Sequence, residues 1–269
     1  MYNDFYGFRQ APFNITPDPH FLFFSDRHLE AFNHLLFGVE QRKGFIQITG
    51  EVGAGKTTLC RALLERLGPQ YKTALILNPV MTGDQLLWLV LAELGVEPDS
   101  DDRMQNLQRL NQYLLDQLHQ GNEVVLLIDE AQDLSMELLE EIRLLSNLET
   151  DQRKLLQIVL MGQPELRDLL DQPDLVQLRQ RITVRYHLKA LTLEETDRYI
   201  QHRMHVAGAN SRPVFNRAAV RGVFRYSKGI PRLVNAVCDK TLLCGYVLGT
   251  DKLTRRHVRR AIHELEGRH

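Results

Sequence analysis

Five short runs of branched apolar residues recur along the chain, and each is followed by a longer stretch in which apolar positions return every three to four residues. The runs are "GFIQITG" (44–50), "TALILN" (73–78), "EVVLLID" (123–129), "LLQIVLMG" (155–162) and "ITVRYHL" (182–188). Continuous apolar runs of this length read as strands buried on both faces. The intervening stretches predict helices around 56–67, 83–94, 104–119, 135–148 and 165–181. Strands alternating with helices give βα units and a parallel sheet, an α/β fold. An earlier helix is expected at 26–42, with Leu29, Phe32, Leu36 and Val39 as its apolar stripe and Asp26 as its N-cap; it should pack on the sheet.

After about residue 190 the strand pattern stops. Four helical segments follow, at 192–206, 214–227, 231–247 and 254–266; Thr192 with Glu195 forms a capping box, and Thr254 is a second cap candidate. A boundary near "LKALT" therefore separates an α/β core (26–189) from a small all-helical domain (190–269), preceded by an opening segment (1–25). Within that opening, "APFNITPDPHF" is extended, because residues before proline avoid the helical region.

Composition adds limits rather than a direction. The chain has 269 residues, 43% hydrophobic and 25% charged, with a formal net charge of −1. No global charge draws it to nucleic acid or an anionic membrane, so any such binding needs a local patch. Cys60, Cys238 and Cys244 are odd in number and lack CxxC spacing, which fits reduced thiols in a cytosolic protein better than disulfides or zinc. "MYNDFYGFRQ" lacks the layout of a secretion signal, and no run reaches the roughly 18 apolar residues of a membrane helix. The expectation is a chain that does not itself insert in a membrane.

"GEVGAGKTT" (50–58) lies between the first strand and the first helix of the core and fits G-x-x-x-x-G-K-[ST]. Gly50, Gly53 and Gly55 let the backbone curl, so that the amides of Val52, Ala54 and their neighbours, with those of Thr57 and Thr58 at the helix start, surround phosphates. Lys56 neutralises β/γ charge, and the Thr57 hydroxyl binds magnesium. "VVLLIDEAQ" (124–132) ends a strand in two acids. Asp129 is expected to hold magnesium beside the loop and Glu130 to deprotonate the attacking water, which together imply ATP hydrolysis. Asp133 is left as a cap for the helix starting near Ser135.

Arginines complete the candidate set. Arg179 and Arg181 in "LRQRI" (178–182) stand near a helix end and are plausible fingers for a neighbouring subunit's nucleotide, although arginines on a solvated helix face are commonplace. "GIPRLVN" (229–235) puts Arg232 in the first turn of a helix, where a cation opposes the helix dipole and an anionic ligand explains it better.

These residues together resemble an AAA+ ATPase, and more narrowly the general secretion pathway protein A (ExeA/GspA) family. The carriers are "FYGFRQAPFNITPDPHFLFFS", "GEVGAGKTT", "LLIDEAQDL", "GQPEL" (162–166), "LRQRI" and "GIPRLVN". The resemblance implies a P-loop NTPase core with sheet order 5-1-4-3-2 and a helical lid, ATP and Mg2+ bound between them, and a ring of subunits, a hexamer. It also implies sensor 1 at Gln163, sensor 2 at Arg232, the finger at Arg179 or Arg181, and an adenine face lined by Phe13, Asn14 and Ile15. The implied work is ATP-driven assembly of a cell-envelope secretion, pilus or polysaccharide export system from the cytoplasmic side of the inner membrane.

A competing function is a DNA-binding ATPase resembling transposition-targeting proteins. Arg255, Arg256, Arg259 and Arg260 in "KLTRRHVRRAI" form one basic stripe on a helix, which a solvated face explains equally well.

Overall fold

The computed structural model describes residues 2–14, 18–99, 102–150, 153–209 and 212–267. Its chain forms two compact units: a sheet unit of Glu30–Gly50 and Cys60–Leu188, and a helical unit of Met1–Leu29, Glu51–Leu59 and Lys189–His269.

In the sheet unit, β1 (Phe45–Gly50), β2 (Tyr71–Ile76), β3 (Glu123–Ile128), β4 (Leu156–Gly162) and β5 (Ile182–Leu188) form one parallel sheet in the order β2-β3-β4-β1-β5. The expected order and all five strands are present. Helices α2 (Asp26–Glu40), α3 (Lys56–Arg66), α4 (Gly83–Glu93), α5 (Arg103–His119), α6 (Met136–Leu145), α7 (Glu165–Leu170) and α8 (Val176–Arg181) follow the chain around it; α1 (Tyr2–Tyr6) precedes them. Side chains of β3 and β4 are buried on both faces, which is why their sequences lack alternation. Helix α2 lies close on the sheet at Gly38, where a Cβ would come within 2.6 Å of Ile46 Cδ1.

Three local expectations shift. The buried stripe of α2 is His28, Ala31, Phe32, Leu35 and Val39, with Leu29 48% exposed, so the helix is rotated by about one residue from its reading. The Ser25 hydroxyl, not Asp26, caps it by accepting from the His28 amide (3.3 Å). Similarly, Ser135 rather than Asp133 caps α6, accepting from the Leu138 amide. The single helix expected over 165–181 is broken into α7, a 3-10 turn at Pro173–Leu175 and α8, because Pro173 cannot donate to a continuing helix.

The helical unit holds α9 (Leu193–Val206), α10 (Arg217–Ser227), α11 (Pro231–Val247) and α12 (Arg255–Leu265), with the Thr192 capping box in place. Contrary to the reading that no strand recurs, β6 (Val214–Phe215) and β7 (Lys252–Leu253) form a two-residue parallel pair, too short to leave a periodic signal. The opening segment is part of this unit's core. Tyr6, Phe8, Phe13 and Phe21 are buried with Tyr199, Val223, Val237 and Leu242. Buried Arg203 donates to the Pro12 carbonyl (2.6 Å) and stacks 4.6 Å over the Phe21 ring. Among the described residues, no helix is long and apolar enough to cross a membrane.

Candidate active site

The glycine loop belongs to the helical unit and is held there by two contacts that motif reasoning does not supply. His28, 4% exposed, lies 3.0 Å through Nε2 from the Ala54 carbonyl and 2.8 Å through Nδ1 from the Ser25 hydroxyl. A carbonyl only accepts, so Nε2 carries the proton and Nδ1 accepts from Ser25. Burial holds the His28 pKa below its ordinary 6.5, which keeps this neutral tautomer. On the other side, the Arg232 amide donates to the Gly53 carbonyl (3.2 Å). A Cβ on Gly53 would sit 2.4 Å from that of Arg232, and both Gly53 (φ +77°) and Gly55 (φ +105°) occupy left-handed backbone. Arg232 therefore stands directly beside the loop.

The loop opens α3, whose N-terminal dipole favours an anion. Lys56 is 5% exposed, and its ammonium donates to the Glu51 carbonyl (3.2 Å). Ala54 is buried, Val52 exposed, and Thr57 and Thr58 half-buried at the helix start. A buried ammonium beside left-handed glycines at a helix N-terminus suits the polyphosphate of a nucleotide. The adenine candidates fit less well. The Phe13 ring is 1% exposed in the helical core, edge-on to Phe215, and so is not open to a ligand; the Asn14 carbonyl accepts from Arg203 and Asn235 (3.4 Å each); Ile15 lies outside the described residues. A cleft of about 650 Å³ between α9 and the residues around β6 is lined by no residue of the loop.

In the sheet unit the parallel register puts the candidate chemistry at one edge. Thr49 pairs with Gly162 and Ile128 with Leu160, so Gly50, Asp129 and Gln163 all emerge from the carboxyl ends of their strands. Gly50 itself must be glycine, since a Cβ there would meet the Leu188 carbonyl oxygen at 2.8 Å. Asp129, 2% exposed, accepts from the Glu130 amide through Oδ1 (2.9 Å), and its own amide donates to the Ile76 carbonyl. Glu130 is left-handed (φ +50°), an unusual backbone for a glutamate, and starts the 3-10 turn Ala131–Asp133. That turn returns Gln132 toward Glu130 and the tip of β4. Gln132 Nε2 donates to Glu130 Oε2 (2.9 Å), Gln163 Nε2 donates to the same oxygen (3.2 Å), and the Gln163 amide donates to Gln132 Oε1 (2.9 Å). Gln132 escaped the sequence reading because its place depends on the left-handed turn at Glu130. Nearby Cys60 is buried and its thiol is pushed up to about 12, by burial first and by the Asp129 charge second, which keeps it protonated.

Arg179 and Arg181 stand at the opposite edge. Ile182, the residue after Arg181, pairs with Phe45 at the start of β1, five residues or about 16 Å from Gly50 at about 3.3 Å per residue. Arg181 donates to the Ser146 hydroxyl (2.8 Å), and Arg179 pairs with Asp171 at 3.3 Å.

A glycine loop opening a helix after a central parallel strand, with an acid pair two strands away, defines a P-loop nucleotide-binding protein of the AAA+ type. A family model described as an AAA domain matches residues 39–170. General secretion pathway protein A of Aeromonas hydrophila is 44% identical over 268 residues, 99% of this chain and 49% of that protein. The chain belongs to the AAA+ ATPases and, among them, to the general secretion pathway protein A family, spanning about half the length of the curated relative it matches. Solved structures share the fold at low identity. The ORC2 protein of Aeropyrum pernix (ADPNP-ADP complexes) superposes with a TM-score of 0.69 at 18% identity, covering 95% of this chain and 72% of that one. Drosophila ORC bound to DNA gives 0.70 at 19%, covering 94% and 64%, and the RuvB Holliday junction branch migration motor of Thermotoga maritima gives 0.60 at 17%, covering 90% and 70%.

Proposed function

We propose that this chain binds ATP with Mg2+ and hydrolyses it as one subunit of a ring, a hexamer, to drive assembly or operation of a bacterial cell-envelope secretion, pilus or polysaccharide export system. The observation that carries the reading is the common strand edge at which Gly50 enters the glycine loop and Asp129 and Glu130 follow β3. The relationship to general secretion pathway protein A supports the secretion assignment. Its place would be cytoplasmic, at the inner face of the inner membrane through partner proteins.

The loop amides, from Gly50 through Val52, Gly53, Ala54 and Gly55 to Thr58, would hold the phosphates, with Lys56 and Arg232 as their cations. The Thr57 hydroxyl and the Asp129 carboxylate are hard oxygen donors of the kind Mg2+ takes, and would hold it. The cation's contribution is to neutralise charge on the β and γ oxygens. Glu130 would orient the attacking water and take its proton, while Gln163 keeps Glu130 in place. Arg179 or Arg181 would act on the nucleotide of the adjacent subunit, where an arginine stabilises charge that develops only in the transition state. The test is ATP turnover by the purified protein beside two variants. Lys56→Ala should lose nucleotide binding, and Glu130→Gln should bind ATP but turn it over at least about 10²-fold more slowly. Wild-type turnover by Glu130→Gln would refute the assignment of the base.

A second reading, DNA binding, has one observation in its favour. The exposed row Arg217, Arg221 and Arg225 on α10 lies on a helix packed against α12, and Arg225, Arg255 and Arg259 line one groove of about 310 Å³ with Tyr226. Arg256 and Arg260 extend the stripe, although Arg260 pairs with Glu264 at 3.4 Å. Salt-sensitive binding of duplex DNA, lost on Arg225→Glu with Arg259→Glu, would establish this reading, and absence of binding at low salt would remove it.

A further inference from the structure

The side chain of Gln132 is tied at both ends. Its Oε1 accepts from the backbone amide of Gln163, which is only a donor, so the orientation of the amide is determined: Nε2 has to face the other way, toward Glu130. The close fit is built in from the β4 side as well, because a Cβ on Gly162 would lie 2.9 Å from Gln132 Oε1. From the β3 side it depends on the left-handed backbone of Glu130, which is strained for a non-glycine residue and persists only where surrounding contacts fix it. Gln132 and Gln163 both donate to Oε2 of Glu130, and neither donates to Oε1. The carboxylate is thereby gripped by one oxygen, with the other left to address a water.

We infer that Gln132 is a positioning residue for hydrolysis: it fixes the rotation of the Glu130 carboxylate through Oε2, so that Oε1 faces the attacking water, and it registers that carboxylate against the tip of β4. The inference rests on the reading of Glu130 as the general base. It adds a residue that touches neither nucleotide nor metal and acts through Glu130. A base misplaced by about 1 Å loses on the order of 10²-fold in rate, so the expected signature is a fall in kcat without a fall in ATP affinity.

The discriminating variant is Gln132→Glu. It keeps the side-chain shape and an oxygen to accept from the Gln163 amide, and puts a carboxylate oxygen, a like charge, where Nε2 donated to Glu130. If Gln132 merely filled space beneath the β4 tip, neither this variant nor the uncharged Gln132→Met would lower kcat. The positioning role instead gives a kcat lower by about 10- to 100-fold, with ATP dissociation constant and melting temperature essentially unchanged. Gln132→Met, which preserves volume and removes both polar ends without adding charge, should show the same kcat loss and guards against misfolding of the first variant. Both are measured beside wild type and Glu130→Gln. An inactive wild type, or an active Glu130→Gln, would overturn the base assignment and this inference with it. An active wild type and an inactive Glu130→Gln, together with wild-type kcat in either folded Gln132 variant, would overturn this inference alone.

Discussion

The two ends of the central sheet carry polar side chains of different kinds, held in different ways. At the carboxyl end, Glu130, Gln132 and Gln163 bond to one another in a closed set, and Asp129 is buried beside them. None of these side-chain bonds caps a helix, and the only elements they connect are the turn after β3 and the tip of β4. Asp129 is buried and the other three are half-buried, and the bonds of the set converge on one carboxylate oxygen. At the amino end, Arg179 reaches Asp171, itself 63% exposed, and Arg181 reaches a serine hydroxyl. An exposed pair such as Arg179–Asp171 contributes about 0–1 kcal/mol, so Arg179 can leave its partner at little cost, whereas Arg181 is held by the hydroxyl of buried Ser146. Under the proposed function the first end would act within its own chain and the second on a neighbour.

The strongest test of that contrast is to remove the arginines. Arg181→Ala, or failing that Arg179→Ala, should retain ATP binding and lose on the order of 10³-fold in turnover. Specific activity of the wild type should rise with protein concentration, and mixing the arginine variant with Glu130→Gln should restore part of the activity. A concentration-independent rate in a demonstrated monomer, with no rescue for either arginine, would place all the chemistry at the carboxyl end.

A smaller effect is expected within the carboxyl-end set. Gln163→Ala removes one of the two donors to Glu130 Oε2 and leaves Gln132 in place, so kcat should fall by roughly tenfold, less than for Glu130→Gln. Steady-state kinetics that showed the two losses to be equal would mean that Gln163 contacts the reacting groups itself.

His28→Ala tests the loop's own support. It leaves the Ala54 carbonyl without its donor, at a cost of about 1–3 kcal/mol, and should weaken ATP affinity several-fold while kcat at saturation is kept. Titration calorimetry distinguishes this from an arginine-like loss of turnover.

The smallest expected effect is with pH. Burial holds the pKa of His28, His202 and His257 below 6.5 in the folded chain. The unfolded chain therefore binds more protons as pH falls below about 6.5, and the folded state loses stability down to the folded pKa values. Melting temperature should drop as pH falls below about 6.5, and His28→Asn should flatten that slope.

The strands were legible because a parallel sheet covered on both faces writes continuous branched apolar runs, as in β3 and β4. The loop and the acid pair were legible because phosphate chemistry dictates residue type at fixed spacing. What escaped depended on short-range geometry without a period. The β6–β7 pair is two residues long, and Pro173 divides a pattern that otherwise reads as one helix. The caps at Thr192 and Thr254 are as expected, while those assigned to Asp26 and Asp133 lie one and two residues away at Ser25 and Ser135, which were equally plausible. At the site, Gln132 needed the left-handed Glu130, His28 lay outside the stripe of Leu29, Phe32, Leu36 and Val39 and matched no motif, and the family-like opening concealed that Phe13 serves the helical core.

The attachment of the glycine loop to His28 and Arg232 has a thermodynamic consequence. A ligand whose phosphates order Gly53 and Ala54 shares its binding free energy with α11 and with the opening segment that α11 buries. Linkage is reciprocal, so whatever tightens the packing of those helices, a docked partner protein included, must raise nucleotide affinity by the same factor by which nucleotide raises the partner's. A secretion machine pressing on the helical unit would therefore adjust this chain's nucleotide affinity without touching a catalytic group.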